Sequence, residues 1–340
     1  MLDELKTLCA LPGVSGMEDA VRSYIIREAT PYAHSVAVDA MGSVIVRRTG
    51  AKSAPDKLML CAHMDEVGLI ITRITQEGYL HFAAVGGIDR RVLLGKRVLI
   101  GERAVAGVIG VKAFHLVGED EEKRIPKLEE LYIDIGASDL KSAEALVAPG
   151  DVAAFDSDTV EFGDGMFKAK AIDDRVGCAV MLALLREELP MDVTFAFTVQ
   201  EEVGTRGAFG AAFSVTPEVA LVLETTTAAD LPDTQEHRQV CAPGRGVVIP
   251  FMDGGTIYDR VLFERLRALA EGNGIPWQTK HYIAGGTDAR AIQRTKEGVR
   301  VAAISAAVRY LHAPASVGSR HDFEDMLRLT RLFITDMAQR

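Results

Sequence analysis

Phe195-Ala-Phe-Thr-Val-Gln-Glu201-Glu202-Val-Gly204 contains the strongest apolar run in the chain, and it ends in two adjacent carboxylates. A short, continuous apolar stretch bounded by turn residues reads as a buried strand. Three more segments place acids or a histidine beside such stretches: Leu58-Met-Leu-Cys-Ala-His63-Met-Asp65-Glu66, Ala171-Ile-Asp173-Asp174-Arg175-Val-Gly177 and Ala220-Leu-Val-Leu-Glu224-Thr225-Thr. A fifth, Arg309-Tyr-Leu-His312-Ala-Pro314, sets a histidine after another apolar strand. In α/β sheets the carboxyl ends of strands are where sites are built, so the recurrence says more than any single segment.

Around these strands the pattern alternates between helix and strand. Leu2 to Ala10 reads as a helix, and after Pro12-Gly13 the run Ser15-Gly-Met-Glu18 has the form of a capping box opening a second helix to about Thr30. Strands are expected at Ser35 to Asp39, Ser43 to Arg47, Lys57 to His63 and Val67 to Thr72. From about Gly68 to Phe162 glycine is frequent, strands are short and long amphipathic helices are nearly absent. After Lys168 come helices at Asp173 to Glu188, Arg206 to Phe213, Tyr258 to Glu271 and Phe323 to about Met337. Strands are read at Asp192 to Val199, Val219 to Leu223, Thr279 to Ile283 and Val301 to Ala306. The expected fold is α/β: a mixed-sheet domain with helices on both faces, formed by residues 1–66 and 164–340 and interrupted by a small β-barrel-like domain at 67–163.

Composition narrows the function. The 340 residues are 48% hydrophobic and 25% charged, enough to bury a large core and unlike a disordered chain. A formal charge of −10, without a basic run, argues against nucleic acid as a partner. No signal-peptide pattern and no apolar stretch approaching about 20 residues is present, so no membrane partner is expected and the expected location is the cytoplasm. The four cysteines, Cys9, Cys61, Cys178 and Cys241, are scattered without a C-x-x-C pair and read as small buried apolar residues.

Each ionisable motif has an ordinary reading and a chemical one. His63-x-Asp65 is either a strand-end histidine near a surface acid or a metal ligand whose ring is steadied by Asp65. Asp173-Asp174 opens a helix, so one carboxylate can simply cap it, while Gly177 and Cys178 keep the next turn slim. Glu201-Glu202 is either an exposed acidic turn or a division of labour, since neighbours on an extended chain project to opposite sides: one coordinates and the other serves as general base. Glu224 and His312 add oxygen and nitrogen donors of the kind divalent metals accept. Together these residues form the donor set of a two-metal hydrolase. Four other histidines, His115, His237, His281 and His321, read as surface or supporting residues, and Gly244-Arg-Gly246 is no phosphate loop because no Lys-Ser or Lys-Thr follows.

With these motifs in order, the sequence resembles the tetrahedral (TET) aminopeptidases, the glutamyl-aminopeptidase-like dinuclear metallopeptidases. The likeness runs from Leu11-Pro-Gly-Val-Ser-Gly16 through Ala62-His-Met-Asp-Glu-Val-Gly68, Gly87-Ile-Asp, Ile172-Asp-Asp-Arg, Gln200-Glu-Glu-Val-Gly-Thr-Arg-Gly-Ala208, Ala229-Asp-Leu-Pro232 and Gly285-Gly-Thr-Asp288 to Tyr310-Leu-His-Ala-Pro314. The resemblance implies a metal-dependent aminopeptidase that removes N-terminal residues from peptides through a metal-bridging water. Asp173 would bridge two divalent ions, Zn²⁺ or Co²⁺ foremost and Mn²⁺ third. His63 and Glu224 would complete one site, Glu202 and His312 the other. Glu201 would be the general base, Asp65 would orient His63, and the Asp173–Asp174 peptide would be cis. Glu224 departs from the family's usual aspartate. The family's β-rich insertion serves assembly, so a homo-oligomer, a tetrahedral dodecamer among the forms, is expected. Gly285 to Asp288 lies near the substrate in relatives, or is a purely structural loop here. A deacylase of N-acyl amino acids on the same scaffold is the alternative. An endoglucanase is set aside because the histidine donors do not suit glycoside hydrolysis and the chain is only 6% aromatic.

Overall fold

A computed structural model describes residues 1–53 and 57–339. The large sheet draws on β1 (Ser35–Val38), β2 (Val44–Arg48) and β3 (Leu58–His63) before the insertion. Six strands then form the insertion: β4 (Gly68–Ile74), β5 (Leu80–Val85), β6 (Arg97–Ile100), β7 (Val105–Gly110), β8 (Tyr132–Asp134) and β9 (Val152–Phe155). The large sheet resumes with β10 (Val160–Phe162), β11 (Met166–Ala169), β12 (Val193–Thr198), β13 (Val219–Thr227), β14 (Val247–Val248), β15 (Trp277–Gln278), β16 (Arg300–Arg309) and β17 (Ser316–Ser319). Its order is β1-β2-β12-β3-β13-β16-β17-β11-β10, with β14 and β15 branching from β16. The centre, β12, β3, β13 and β16, is parallel, and β2 and β17 flank it antiparallel.

Period-two side-chain alternation builds two cores from one sheet. In β3, Leu58, Leu60 and Ala62 join Val44, Val46, Phe195 and Phe197 against α1 (Leu2–Ala10), α2 (Asp19–Ala29), α5 (Ile172–Leu185), α7 (Arg260–Gly272) and α9 (Arg320–Met337). Met59 and Cys61, pointing the other way, meet α6 (Arg206–Val215) and α8 (Ala289–Gln293). The alanines Ala208, Ala211 and Ala212 let α6 lie close to the sheet. Helices therefore cover both faces, and the parallel strands present their carboxyl ends at one edge. The insertion closes as a barrel in the order β4-β5-β8-β7-β6-β9, around a separate core that includes Leu69, Leu80, Val98, Ile109 and Ile133.

Several expectations need correction. Ser15 does not cap the second helix: α2 starts at Asp19 with Glu18 as N-cap and no side-chain cap bond. The Ser15 hydroxyl instead donates to Asp65, and the Glu18 carboxylate accepts from the amides of Gly16 and Gln200. β10, read from the sequence as part of the 67–163 block, pairs with β11 of the large sheet, so the barrel strands end at Phe155. β5, which the sequence reading left out, holds only Leu80 and Phe82 fully inward before its alanines. No strand forms at Thr279 to Ile283; the chain leaves the ladder after Gln278, and the His281 amide donates to Val240. No helix among the described residues is long and apolar enough to cross a membrane.

Phe195 is fully buried on β12, the strand that leads into Glu201-Glu202, and belongs to the main core. Phe195→Ala is expected to lower unfolding stability by about 3–5 kcal/mol through the cavity it leaves, measured by urea denaturation.

Candidate metal centre

All seven ionisable residues singled out in the sequence converge at the carboxyl end of the parallel strands. His63 is the last residue of β3 and stands in register with Thr198, the last of β12. Glu224 lies inside β13, which runs on to Thr227 beyond the expected end, and is level with Ser305 of β16. Glu201 and Glu202 follow β12 on a turn and not on extended chain, so their divergence comes from the bend at Gln200 rather than from strand alternation. Left-handed backbone at Ala171, Gln200, Tyr310 and His312, with φ of 52°, 56°, 58° and 55°, surrounds the centre. Such conformations persist in non-glycine residues only where the surroundings hold them. The Asp173–Asp174 peptide is cis.

His63 is gripped from both sides. Its Nδ1 lies 3.2 Å from the Asp65 carbonyl and 3.4 Å from Asp65 Oδ1. That leaves Nε2 facing Asp173 Oδ1 at 3.3 Å and Glu224 Oε1 at 3.4 Å. On the other side, His312 Nε2 lies 3.4 Å from Asp173 Oδ2 and 3.1 Å from Glu202 Oε2. Two trios result, His63–Asp173–Glu224 and Asp173–Glu202–His312, each with donor atoms within 4.8 Å of one another. Asp173 belongs to both.

The other acids hold the frame. Asp65, fully buried, accepts the Ser15 hydroxyl at 2.6 Å and the amides of Glu201 at 2.9 Å and Glu202 at 3.1 Å. Burial alone would raise its pKa, but hydrogen bonds from His63 and Ser15 outweigh it and bring the carboxyl below its ordinary value. Asp174 joins neither trio: it accepts the His63 amide at 3.3 Å and, as a helix cap does, the Gly177 amide at 3.1 Å. A Cβ at Gly177 would stand 2.5 Å from an Asp174 oxygen and 2.9 Å from the Ala62 Cβ, so only glycine fits. The Glu201 carboxylate lies outside both trios and accepts no hydrogen bond from the described residues. Burial, opposed by His63 and reinforced by Glu224, Asp288 and Glu202, holds it well above the usual glutamate range.

The donor set suits a divalent metal. Burial pushes Glu202 and Glu224 up to about 8, with Asp173 adding repulsion in both cases. Among the described residues no Lys or Arg forms an ion pair with Asp173, Glu202 or Glu224. Nearby Glu66, also buried, has Lys170 at 2.6 Å and Arg175 at 3.7 Å. Buried carboxylates without such partners call for a cation, and mixed imidazole and carboxylate donors suit zinc or a similar ion.

Comparison with known proteins agrees. Residues 42–329 match the model of the M42 glutamyl aminopeptidase family. The chain belongs to that family. It is 35% identical to an aminopeptidase from the archaeon Desulfurococcus kamchatkensis, covering 99% of this chain and 96% of that one with a TM-score of 0.93. The TET1 peptidase of Pyrococcus horikoshii, described as able to assemble into a tetrahedron or a large octahedral shell, is 35% identical over 98% of each chain with a TM-score of 0.86. A lysyl aminopeptidase of Pyrococcus furiosus is 30% identical over 98% of this chain and 96% of its own. This M42 protein is thus a metallo-aminopeptidase, a hydrolase acting on peptides.

The sequence reading did not pick out several neighbours of the centre. Ser15 reads as a helix cap and Gly87 stands inside a quoted motif without a role, yet Ser15 bonds Asp65, and a Cβ at Gly87 would lie 3.4 Å from His312 Nδ1. Val67 and Phe155, at the two ends of the barrel segment, line the same small cavity as Asp173, Glu202 and His312. His115, His237, His281 and His321 are all exposed.

Stripped of metal by a chelator, the protein is expected to lose stability as pH rises from about 5 to 8. Glu202 and Glu224 titrate near 8 when folded against 4.5 ordinarily, so the folded state binds more protons in this window and stability falls with pH. His312, raised to about 9 by Asp173 and Glu202 against the opposing effect of burial, adds to the loss above its ordinary 6.5. Asp65 and Asp173 are lowered, so their contributions disappear only in acid. Urea midpoints across the range, with and without Zn²⁺, check this: a flat or rising metal-free profile contradicts it.

Proposed function

We propose that this aminopeptidase works with two divalent ions per chain, shared across Asp173. His63 and Glu224 would hold one with the first oxygen of Asp173, and Glu202 and His312 the other with the second. The observation that carries the reading is the division of the Asp173 carboxylate, one oxygen toward each trio. Zn²⁺ and Co²⁺ are the foremost candidates and Mn²⁺ the third, since all accept nitrogen and oxygen donors. Bound there, the ions supply Lewis acidity that polarises a peptide carbonyl and acidifies water.

The protein's own groups do the rest. Glu201 is the base: its carboxylate accepts no hydrogen bond from the described residues and is held at a raised pKa, suited to taking a proton from the attacking water and returning it to the leaving amine. Asp65 acts at one remove, fixing the His63 ring and the Glu201 and Glu202 amides with a single carboxylate. The substrate is a peptide with a free amino terminus. We further infer that the chain assembles with itself through the barrel domain, which exposes Phe114, Leu116 and Ile125.

Glu201→Gln is expected to keep its metal content while losing at least about a thousandfold in kcat. Wild-type protein loaded with Zn²⁺, Co²⁺ or Mn²⁺ is expected to cleave short peptides with a free amino terminus and spare their N-acetylated counterparts. Retained turnover in the variant removes Glu201 as base, and cleavage of only the blocked series replaces the aminopeptidase with a deacylase. Light scattering is expected to give a mass several times the 36.7 kDa of one chain; a monomer contradicts self-assembly.

A further inference from the structure

Glu18 is the N-cap residue of α2, yet its side chain caps nothing there and the residue is 2% exposed. One oxygen, Oε1, accepts both the Gly16 amide at 2.7 Å and the Gln200 amide at 3.2 Å. No Lys or Arg among the described residues pairs with it. A buried carboxylate served only by backbone amides is an acceptor held at a fixed place.

The loop that presents Glu18 is tied down along its length. The Leu11 carbonyl accepts from Lys170 at 2.9 Å, and the Gly13 amide donates to the Glu66 carboxylate at 3.0 Å. The Glu66 backbone bonds the loop on both sides of Val14, donating to the Gly13 carbonyl at 2.9 Å and accepting the Ser15 amide at 3.2 Å. A Cβ on Gly68 would stand 2.4 Å from a Val14 methyl, so the loop lies directly against the start of β4.

Glu18 reaches from this loop to the turn that separates Glu201 from Glu202. Three successive amides of that turn meet carboxylates: Gln200 on Glu18, Glu201 on Asp65 Oδ1 at 2.9 Å and Glu202 on Asp65 Oδ2 at 3.1 Å. The carbonyls are held by the start of α6, where the Gly207 amide donates to Val199 at 3.0 Å, Arg206 to Gln200 at 3.1 Å, and Gly204 and Thr205 to Glu201 at 2.8 and 2.9 Å. Peptide units are rigid, so holding successive units fixes the two dihedrals of the residue between them. Asp65 holds the amides on either side of the Glu201 α-carbon. Glu18 holds the amide that enters Gln200, where the left-handed bend at φ 56° is made. Glu202 has a further anchor, with His312 at 3.1 Å. The Glu201 carboxylate accepts nothing from the described residues, so its aim is inherited from the backbone.

We propose that Glu18 is a positioning residue for proton transfer: by holding the Gln200 amide it fixes the bend that aims the Glu201 carboxylate, and it does so as a hydrogen-bond acceptor and not as a charge. This rests on the reading of Glu201 as the base.

The test uses zinc-loaded enzyme and a short peptide with a free amino terminus. Glu18→Met, similar in length but without the acceptor, is expected to lower kcat at least about tenfold, with KM within about threefold and zinc content as in the wild type. Glu18→Asp keeps the charge but draws the oxygen back by one methylene, and is expected to lose kcat as well. Glu18→Gln, whose side-chain carbonyl can accept both amides, is expected to stay within about threefold of the wild type. In a Glu201→Gln background no base is left to aim, so adding Glu18→Met is expected to cost less than about twofold. Full turnover in Glu18→Met, a loss of zinc, or an equal loss with and without Glu201 overturns the assignment. So does a Glu18→Asp variant that outperforms Glu18→Gln, and that ordering decides the matter even where Glu18→Met does not fold. Turnover retained in Glu201→Gln alone removes the base and this proposal together, whereas a crippled Glu201→Gln beside an unaffected Glu18 series removes only the proposal.

Discussion

The rest of the structure depends on keeping several carboxylates together, out of water, with only two imidazoles opposite them. Asp65, Asp173, Asp174 and Glu224 are all buried, and Glu202 stands beside them. Coulomb repulsion in such a site is large, and a few kilocalories per mole decide whether a domain folds. The chain manages the charge in two ways. Asp65 and Asp174 are satisfied by hydrogen bonds, chiefly from backbone amides. Asp173, Glu202 and Glu224 are left to face the imidazoles and a cation. Glu66, one residue from Asp65, shows the ordinary alternative of lysine and arginine partners, which the three lack among the described residues.

That constraint explains the placement of the barrel. Its first strand begins two residues after Glu66, and its last ends fifteen residues before Lys170, the ion-pair partner of Glu66. Both ends therefore leave from the rim of the centre, where Val67 and Phe155 shield it. Gly86 and Gly87, after β5, pass close to Glu202 and His312. An insertion at this rim gives the second trio an apolar wall that the large sheet does not supply.

Much of this was legible in the residues. Apolar runs located β3, β12, β13 and β16, because strands buried on both faces leave a continuous apolar signal. The five residues of the two trios each followed or interrupted such a run. What the sequence left open was the division of roles. Asp173 and Asp174 are chemically identical, and only the backbone bend between them decides that one faces the trios while the other caps α5. Glu201 and Glu202 diverge through the turn at Gln200, which no two-residue alternation predicts. Ser15 carried a capping pattern, yet its hydroxyl serves Asp65, fifty residues away in sequence. Such long-range partners leave no local signature.

Metal content is the most direct test of the shared carboxylate. Wild type, Asp173→Ala, Glu224→Ala and His312→Ala would be loaded with Zn²⁺, freed of excess by gel filtration and measured by atomic emission. The account predicts about two ions per chain in the wild type, about one in each of the Glu224 and His312 variants, and about none in folded Asp173→Ala. A wild type that binds about one ion, or an Asp173 variant that keeps both, would contradict it.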